Sequence, residues 1–185
     1  MNHNEQEELK TQKRMGFGMV VGMWVLILAI FMYFFGTVIE DMRNPNQTVV
    51  ATVNSDGIRE VVLKRNRYGH YVSSGEINGR RVQFMVDTGA SDVAVPESLA
   101  RSMGLKRGAQ QMLMTANGTA VGYVTRLDSV AVGNIILHDV RATIVPGMTG
   151  MSGLDNTEVL LGMAFLKNIE FIQRGNELTL RQQPE

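Results

Sequence analysis

The sequence predicts an all-β domain, built as a small closed barrel with one or two short helices and carried behind a single transmembrane helix. Three observations predict it. Residues 15–39 contain no charged side chain. After residue 57, short β-rich runs recur at close spacing with Asn/Gly turn pairs between them. The stretch Asp87-Thr88-Gly89-Ala90-Ser91 places a carboxylate at the end of the apolar run Val82-Gln83-Phe84-Met85-Val86.

The apolar segment comes first. About 20 apolar residues are enough for a helix to cross the hydrocarbon core, and the uncharged stretch 15–39, with the apolar run Val20–Phe35 inside it, meets that length. A cleaved signal peptide is the competing reading. Its apolar core is normally about 7 to 15 residues, followed by a small-x-small cleavage site. Gly36-Thr37-Val38-Ile39-Glu40 offers no such site, which favours an uncleaved anchor. Lys10, Lys13 and Arg14 precede the span, whereas Glu40, Asp41 and a single Arg43 follow it. The basic excess keeps the N-terminal side in the cytoplasm, so the C-terminal domain faces outward, which is the periplasm for a protein of a bacterial inner membrane. The chain therefore divides into a cytoplasmic tail (1–14), a transmembrane helix in the lipid bilayer (15–39), a polar linker leading into a first strand (40–55) and a folded domain (56–185).

Composition removes several function classes. Lys+Arg and Asp+Glu are both 18, so no charge excess points to nucleic acid. There is no cysteine, which excludes disulfides, thiol catalysis and cysteine metal sites. His3, His70 and His138 lie far apart and form no ligand spacing, so neither a metal nor another cofactor is expected. Gly150-Met151-Ser152-Gly153 lacks the spacing of a nucleophile elbow, which speaks against a serine hydrolase.

The domain's elements follow from local signals. Ile58–Leu63 reads as a strand, and Tyr68–Ile77 turns at Asn78-Gly79 into Arg81–Val86, because both turn positions favour positive φ. Pro96 opens a short helix that runs to Met103 and stops at Gly104. Gln111–Met114 and Val121–Thr125 flank a hairpin at Ala116-Asn117-Gly118-Thr119. Leu127–Val132 turns at Gly133-Asn134 into Ile135–Val145. A second short helix is expected around Met163–Lys167, and Asn168–Gln173 turns at Arg174-Gly175-Asn176 into Glu177–Arg181.

Asp87 carries the chemistry. A desolvated carboxylate needs a partner or hydrogen bonds. A strand-end turn with an Asx hydrogen bond explains Asp87-Thr88-Gly89 by itself. It does not explain the apolar strand before the motif or Val93-Ala94-Val95 after it.

In that setting the chain resembles the retropepsin-like aspartic proteases, and within them a bacterial membrane-anchored branch. The resemblance rests on Phe84–Ser91, on the hairpin Thr115–Gly122, on Val159-Leu160-Leu161-Gly162-Met163-Ala164-Phe165-Leu166, and on Gly69-His70-Tyr71 and Ile77-Asn78-Gly79. It covers about residues 65–175. It implies a retropepsin-like barrel with Asp87 as the catalytic carboxylate of an endopeptidase acting on peptide or protein substrates. Thr88 would bond across a two-fold axis. Gly89 would let the backbone approach the carboxylate and donate its N–H, Ala90 would complete the loop, and Ser91 would bond the outer carboxylate oxygen. Ala116, Asn117, Gly118 and Thr119 would form the tip of a flap, although no tyrosine stands there and Tyr123 lies further along. Asp92 is a candidate for lining a substrate pocket. The motif occurs once, and Asp155-Asn156-Thr157 lacks the glycine. The resemblance then implies a homodimer in which each copy supplies one Asp87. A non-catalytic periplasmic β-domain that binds peptide or a partner protein on a strand edge is the alternative.

Overall fold

A computed structural model describes residues 3–115, 118–148 and 158–184, with side chains from residue 16 onward except Thr37. The chain divides into two units, Met1–Glu40 and Asp41–Glu185. Helix α1 (His3–Arg43) makes up the described part of the first unit and ends inside the second. Its stretch Gly16–Arg43 is long and apolar enough, by length and composition, to cross a membrane.

The second unit is mostly β, with two sheets. The smaller has the order β1-β2-β11-β10 and consists of β1 (Val50–Val53), β2 (Arg59–Lys64), β10 (Glu170–Arg174) and β11 (Glu177–Gln182), antiparallel throughout. The larger contains β3 (Val72–Ile77), β4 (Arg80–Val86), β5 (Val93–Pro96), β6 (Gln110–Thr115), β7 (Gly118–Val132), β8 (Ile135–Val145) and β9 (Glu158–Leu161). Its order is β3-β4-β9-β5-β8-β7-β6. An extra pairing of β3 with β7, through Glu76↔Ala131 and Ile77↔Val130, closes six of these strands into a barrel-like ring. Strand β6 hangs from β7 outside that ring.

Local chemistry accounts for the turns. Asn78 (φ 51°) and Gly79 (φ 73°) both take positive φ and join β3 to β4 as a tight hairpin. Helix α2 (Glu97–Ser102) starts after Pro96, and helix α3 (Met163–Leu166) starts after Gly162. The core inside the ring is apolar, with Phe84, Val93, Val95, Leu127, Leu161 and Phe165 fully buried.

Three segments differ from the sequence expectation. The span 121–132, read as two strands, is one continuous strand, because Arg126 faces solvent and does not break the ladder to β8. Val93–Pro96 is a strand of the ring. The span 40–55, read as a linker leading into a strand, is folded well before residue 56. Asn44 and Asn46 are 2% and 4% exposed, and β1 occupies Val50–Val53. The Asn46 amide donates to Lys64 O and Val72 O at 2.9 and 2.6 Å and accepts from Lys64 N–H at 2.7 Å. Asparagine's paired donor and acceptor suit this position because it fills the gap between β2 and β3 where neither strand pairs with the other. Asn46→Ala strands these buried backbone groups. It is expected to cost about 1–3 kcal/mol, read from the urea midpoint at unchanged m-value. A midpoint equal to that of the parent would show the clamp to be idle.

Candidate active site

The topology dictates where the Asp87 loop lies. β4 and β9 run parallel, with Val86 level with Leu161. β9 and β5 are antiparallel at Ala94↔Leu160. Because β9 sits between β4 and β5, residues 87–92 must step over the end of β9 to join them. Gly162 lies under that step. A Cβ there would fall far inside contact distance of Asp92 O and 2.5 Å from Ala90 O. Its φ of −91° is ordinary, so space rather than backbone conformation demands glycine. The start of α3 then grips the loop: Met163 N–H donates to Ala90 O at 2.7 Å and Ala164 N–H to Ser91 O at 2.9 Å.

Asp87 is half-buried, and its N–H donates to Leu161 O at 3.2 Å. Gly89 N–H donates to the Asp87 carboxylate at 2.9 Å. A Cβ on Gly89 would stand 3.2 Å from that oxygen, closer than is comfortable. A plain Asx turn makes the same hydrogen bond. It does not account for a loop bolted by its carbonyls to a helix from the far end of the chain. Thr88, Gly89 and Ser91 are exposed, and Ala90 is partly buried. Among the described residues the hydrogen bond to the Asp87 carboxylate comes from Gly89 N–H, and none joins Ser91 to it.

Asp92 is placed differently from a free pocket carboxylate. Its side chain is 16% exposed. Thr143 Oγ1–H donates to Oδ2 at 2.7 Å, Gln111 Nε2 at 3.3 Å, and Arg141 Nε lies 3.1 Å from Oδ1. Asp92 and Ser91 also line a cavity of about 520 Å3 with Arg126, His138, Arg141 and Lys167, but Asp87 does not. Nothing in the sequence signals this cluster, because its members lie 19 to 51 residues from Asp92. Burial raises the Asp92 carboxyl. The hydrogen bonds from Thr143, Gln111 and Arg141, together with the Arg141 charge, outweigh it and hold the group below its ordinary value. The unfolded chain therefore takes up the proton first on acidification. The resulting stabilisation is whole above about pH 5 and is lost as pH falls through the ordinary value near 3.9 to the folded one. Asp92→Asn is expected to be less stable than the parent at neutral pH, with the gap narrowing between about pH 5 and pH 3. Urea midpoints against pH measure this, and a gap independent of pH would refute it.

The hairpin of β6 and β7 stands beside this cluster. Of the flap candidates, Ala116 and Asn117 lie outside the described residues. Gly118 (φ 107°) and Thr119 open β7, and Thr115 Oγ1–H donates to Gly118 O at 2.7 Å. Tyr123 sits at the root of the hairpin rather than its tip. The Arg107 guanidinium lies 4.8 Å from its ring centroid and is ion-paired to Glu97. Groups of His, Asp and Glu able to hold a metal are absent among the described residues.

Comparison with known proteins fits this architecture. Residues 73–168, just over half of the chain, match the family model described as "gag-polyprotein putative aspartyl protease". An uncharacterized protein from the cobV 5′ region of a Sinorhizobium species is 29% identical over 187 residues, covering 94% of this chain and 77% of that protein. An uncharacterized protein of Rickettsia prowazekii is 29% identical over 129 residues, covering 68% of this chain and 52% of its own length. The crystal structure of a retropepsin-like aspartic protease from Rickettsia conorii is similar at 27% identity and a TM-score of 0.56, over 73% of this chain and 96% of that one. The matched segment begins in β3 and ends just past α3, and so takes in the Asp87 loop, the hairpin and Gly162. On that match and that fold, the chain belongs to the retropepsin-like aspartic protease family.

Proposed function

We propose that the protein is a membrane-anchored aspartic endopeptidase whose water is activated by two Asp87 carboxylates, one from each copy of a homodimer. Family membership carries aspartic protease chemistry in general. The observation that carries the finer reading is the single Asp87 loop, held rigidly by α3 while Thr88, Gly89 and Ser91 stay open to solvent. One carboxylate cannot be acid and base at once. Two of them about 3 Å apart hold one proton between them. The ionised member takes a proton from the water as its oxygen attacks the scissile carbonyl carbon, and the protonated member gives its proton to the carbonyl oxygen. The tetrahedral species collapses when the C–N bond breaks: the first carboxyl gives the amine nitrogen the proton it drew from the water, and a hydroxyl of the tetrahedral species returns a proton to the second. A two-fold axis through the loops brings the two carboxylates together and covers the exposed Thr88 pair.

The substrate is an extended peptide. Among the described residues β6 is the edge of its sheet, and the side away from β7 offers backbone donors and acceptors to an added strand. The apolar span 15–39, preceded by Lys10, Lys13 and Arg14, supports an inner-membrane enzyme with a cytoplasmic N-terminal tail and residues 56–185 in the periplasm. Two copies in one bilayer meet at raised effective concentration, which favours even a weak dimer.

The test is cleavage of a peptide library by the full chain in lipid, with and without Asp87→Asn. An inhibitor that mimics the tetrahedral species should titrate one molecule per two chains. Cleavage that survives Asp87→Asn, or one inhibitor bound per chain, would overturn the reading.

A further inference from the structure

The hydrogen bonds around Asp92 form a closed ring through two strands, β6 and β8, and the loop. Arg141 Nη2, on β8, donates to Gln111 Oε1 at 3.2 Å. Gln111 Nε2, on β6, donates to Thr143 Oγ1 at 2.6 Å. Thr143 Oγ1–H, also on β8, donates to Asp92 Oδ2 at 2.7 Å. Arg141 Nε closes the circuit on the same carboxylate. Each of the four donor groups named here meets an acceptor, and polar groups paired in this way strengthen a partly shielded network. Thr143, at its centre, is 2% exposed.

The shape of the hairpin fits the circuit. Gln111 stands opposite Gly122 across the β6–β7 ladder. A Cβ on Gly122 would come within 2.6 Å of Thr143 Cγ2 and 2.8 Å of Leu113 Cδ1. Glycine there lets the hairpin root lie flat on Thr143. Among the described residues β6 is bonded in the sheet to β7, and Gln111 ties it through its side chain to the catalytic-loop end of the ring.

We propose that Asp92, Thr143, Gln111 and Arg141 are positioning residues forming a latch that makes the Asp87 loop and the root of the β6–β7 hairpin one mechanical unit. The proposal rests on the protease reading for its effect on turnover, but not for its effect on motion. The loop is fixed on one side by the start of α3 and on the other by this latch. A peptide that draws the hairpin down therefore loads the loop that carries Asp87. Asp92 is thereby assigned to the enzyme's own framework and not to a substrate side chain.

Hydrogen exchange on the full chain in detergent tests the latch without requiring activity. Asp92→Asn, in the loop, and the near-isosteric Thr143→Val and Gln111→Met are compared. Each is expected to raise exchange of amides 110–115 and 118–123 by about tenfold or more, while β3 and β4 keep their protection. The pair Asp92→Asn with Gln111→Met should go no further than either change alone, because both open the same circuit. On a cleaved peptide the same variants should lower kcat by about tenfold with little change in KM, again without adding. Arg141→Lys, which keeps the charge, should retain most of the protection. Should Asp92→Asn not fold, Thr143→Val with Gln111→Met supplies the same cycle. Hairpin exchange unmoved by a change at Asp92 or Thr143, or effects that add, would overturn the latch. Absence of any cleavage by the parent would instead overturn the protease reading and leave the exchange result to stand or fall by itself.

Discussion

Asp87→Asn is expected to lower kcat by about 10³-fold or more, toward the upper end of what loss of a positioned acid–base group costs. Stability should stay within about 0.5 kcal/mol of the parent, as for a substitution away from packing defects. The fold should survive because the amide oxygen of asparagine can still accept the Gly89 N–H that the carboxylate accepts at 2.9 Å. Mixing gives a sharper readout. If each site needs one Asp87 from each copy, activity follows the square of the parent fraction, so an equal mixture with the variant retains about one quarter of the parent rate. A linear fall to about one half would mean that each chain carries a complete site.

Gly162→Ala is expected to damage both fold and turnover. The added methyl meets two backbone carbonyls, Asp92 O and Ala90 O, and backbone cannot rotate away as a flexible side chain would. Overpacking of this kind costs about 1–3 kcal/mol, and more where nothing gives. What yields is the loop, which must lift from α3 and lose the Met163 and Ala164 hydrogen bonds that hold it. A displacement near 1 Å at the reacting groups is worth about 10²-fold in rate. Urea unfolding and kcat on a library peptide measure the two effects. A variant as stable and active as the parent would show that the loop does not rest on this residue.

What the sequence disclosed was local. Asn78-Gly79 marked its hairpin because that turn requires positive φ at both positions. Pro96 and Gly104 bracketed α2 by their backbone preferences. The Leu-Leu-Gly run before α3 was legible by resemblance, yet the reason for its glycine is tertiary: the loop from β4 to β5 passes over it. β1 is exposed along its whole length, so no alternation of burial betrayed it. Asn44 and Asn46 carry the composition of a linker and serve as an internal clamp, a distinction that only the partners Lys64 and Val72 can make. Asp92 looked like an open carboxylate because its partners Gln111, Arg141 and Thr143 arrive from strands remote in sequence.

The small sheet also bears on how the domain is made. Its two central strands, β2 and β11, pair through residues such as Glu60 and Arg181, whose side chains meet at 2.6 Å across 121 residues of sequence. Loop closure grows costlier with length, by about 0.6 kcal/mol per doubling, and it must be met before the pairing repays it. Strand β2 emerges early in synthesis and waits for nearly the whole domain before its partner exists. During that wait β1 and β2 present unpaired edges. In the proposed anchored form, neighbouring nascent chains in one bilayer hold those edges at raised local concentration. The arrangement that would favour pairing of finished copies would thus also favour mispairing of unfinished ones, and slow, long-range folding of this kind is where a chaperone would be needed.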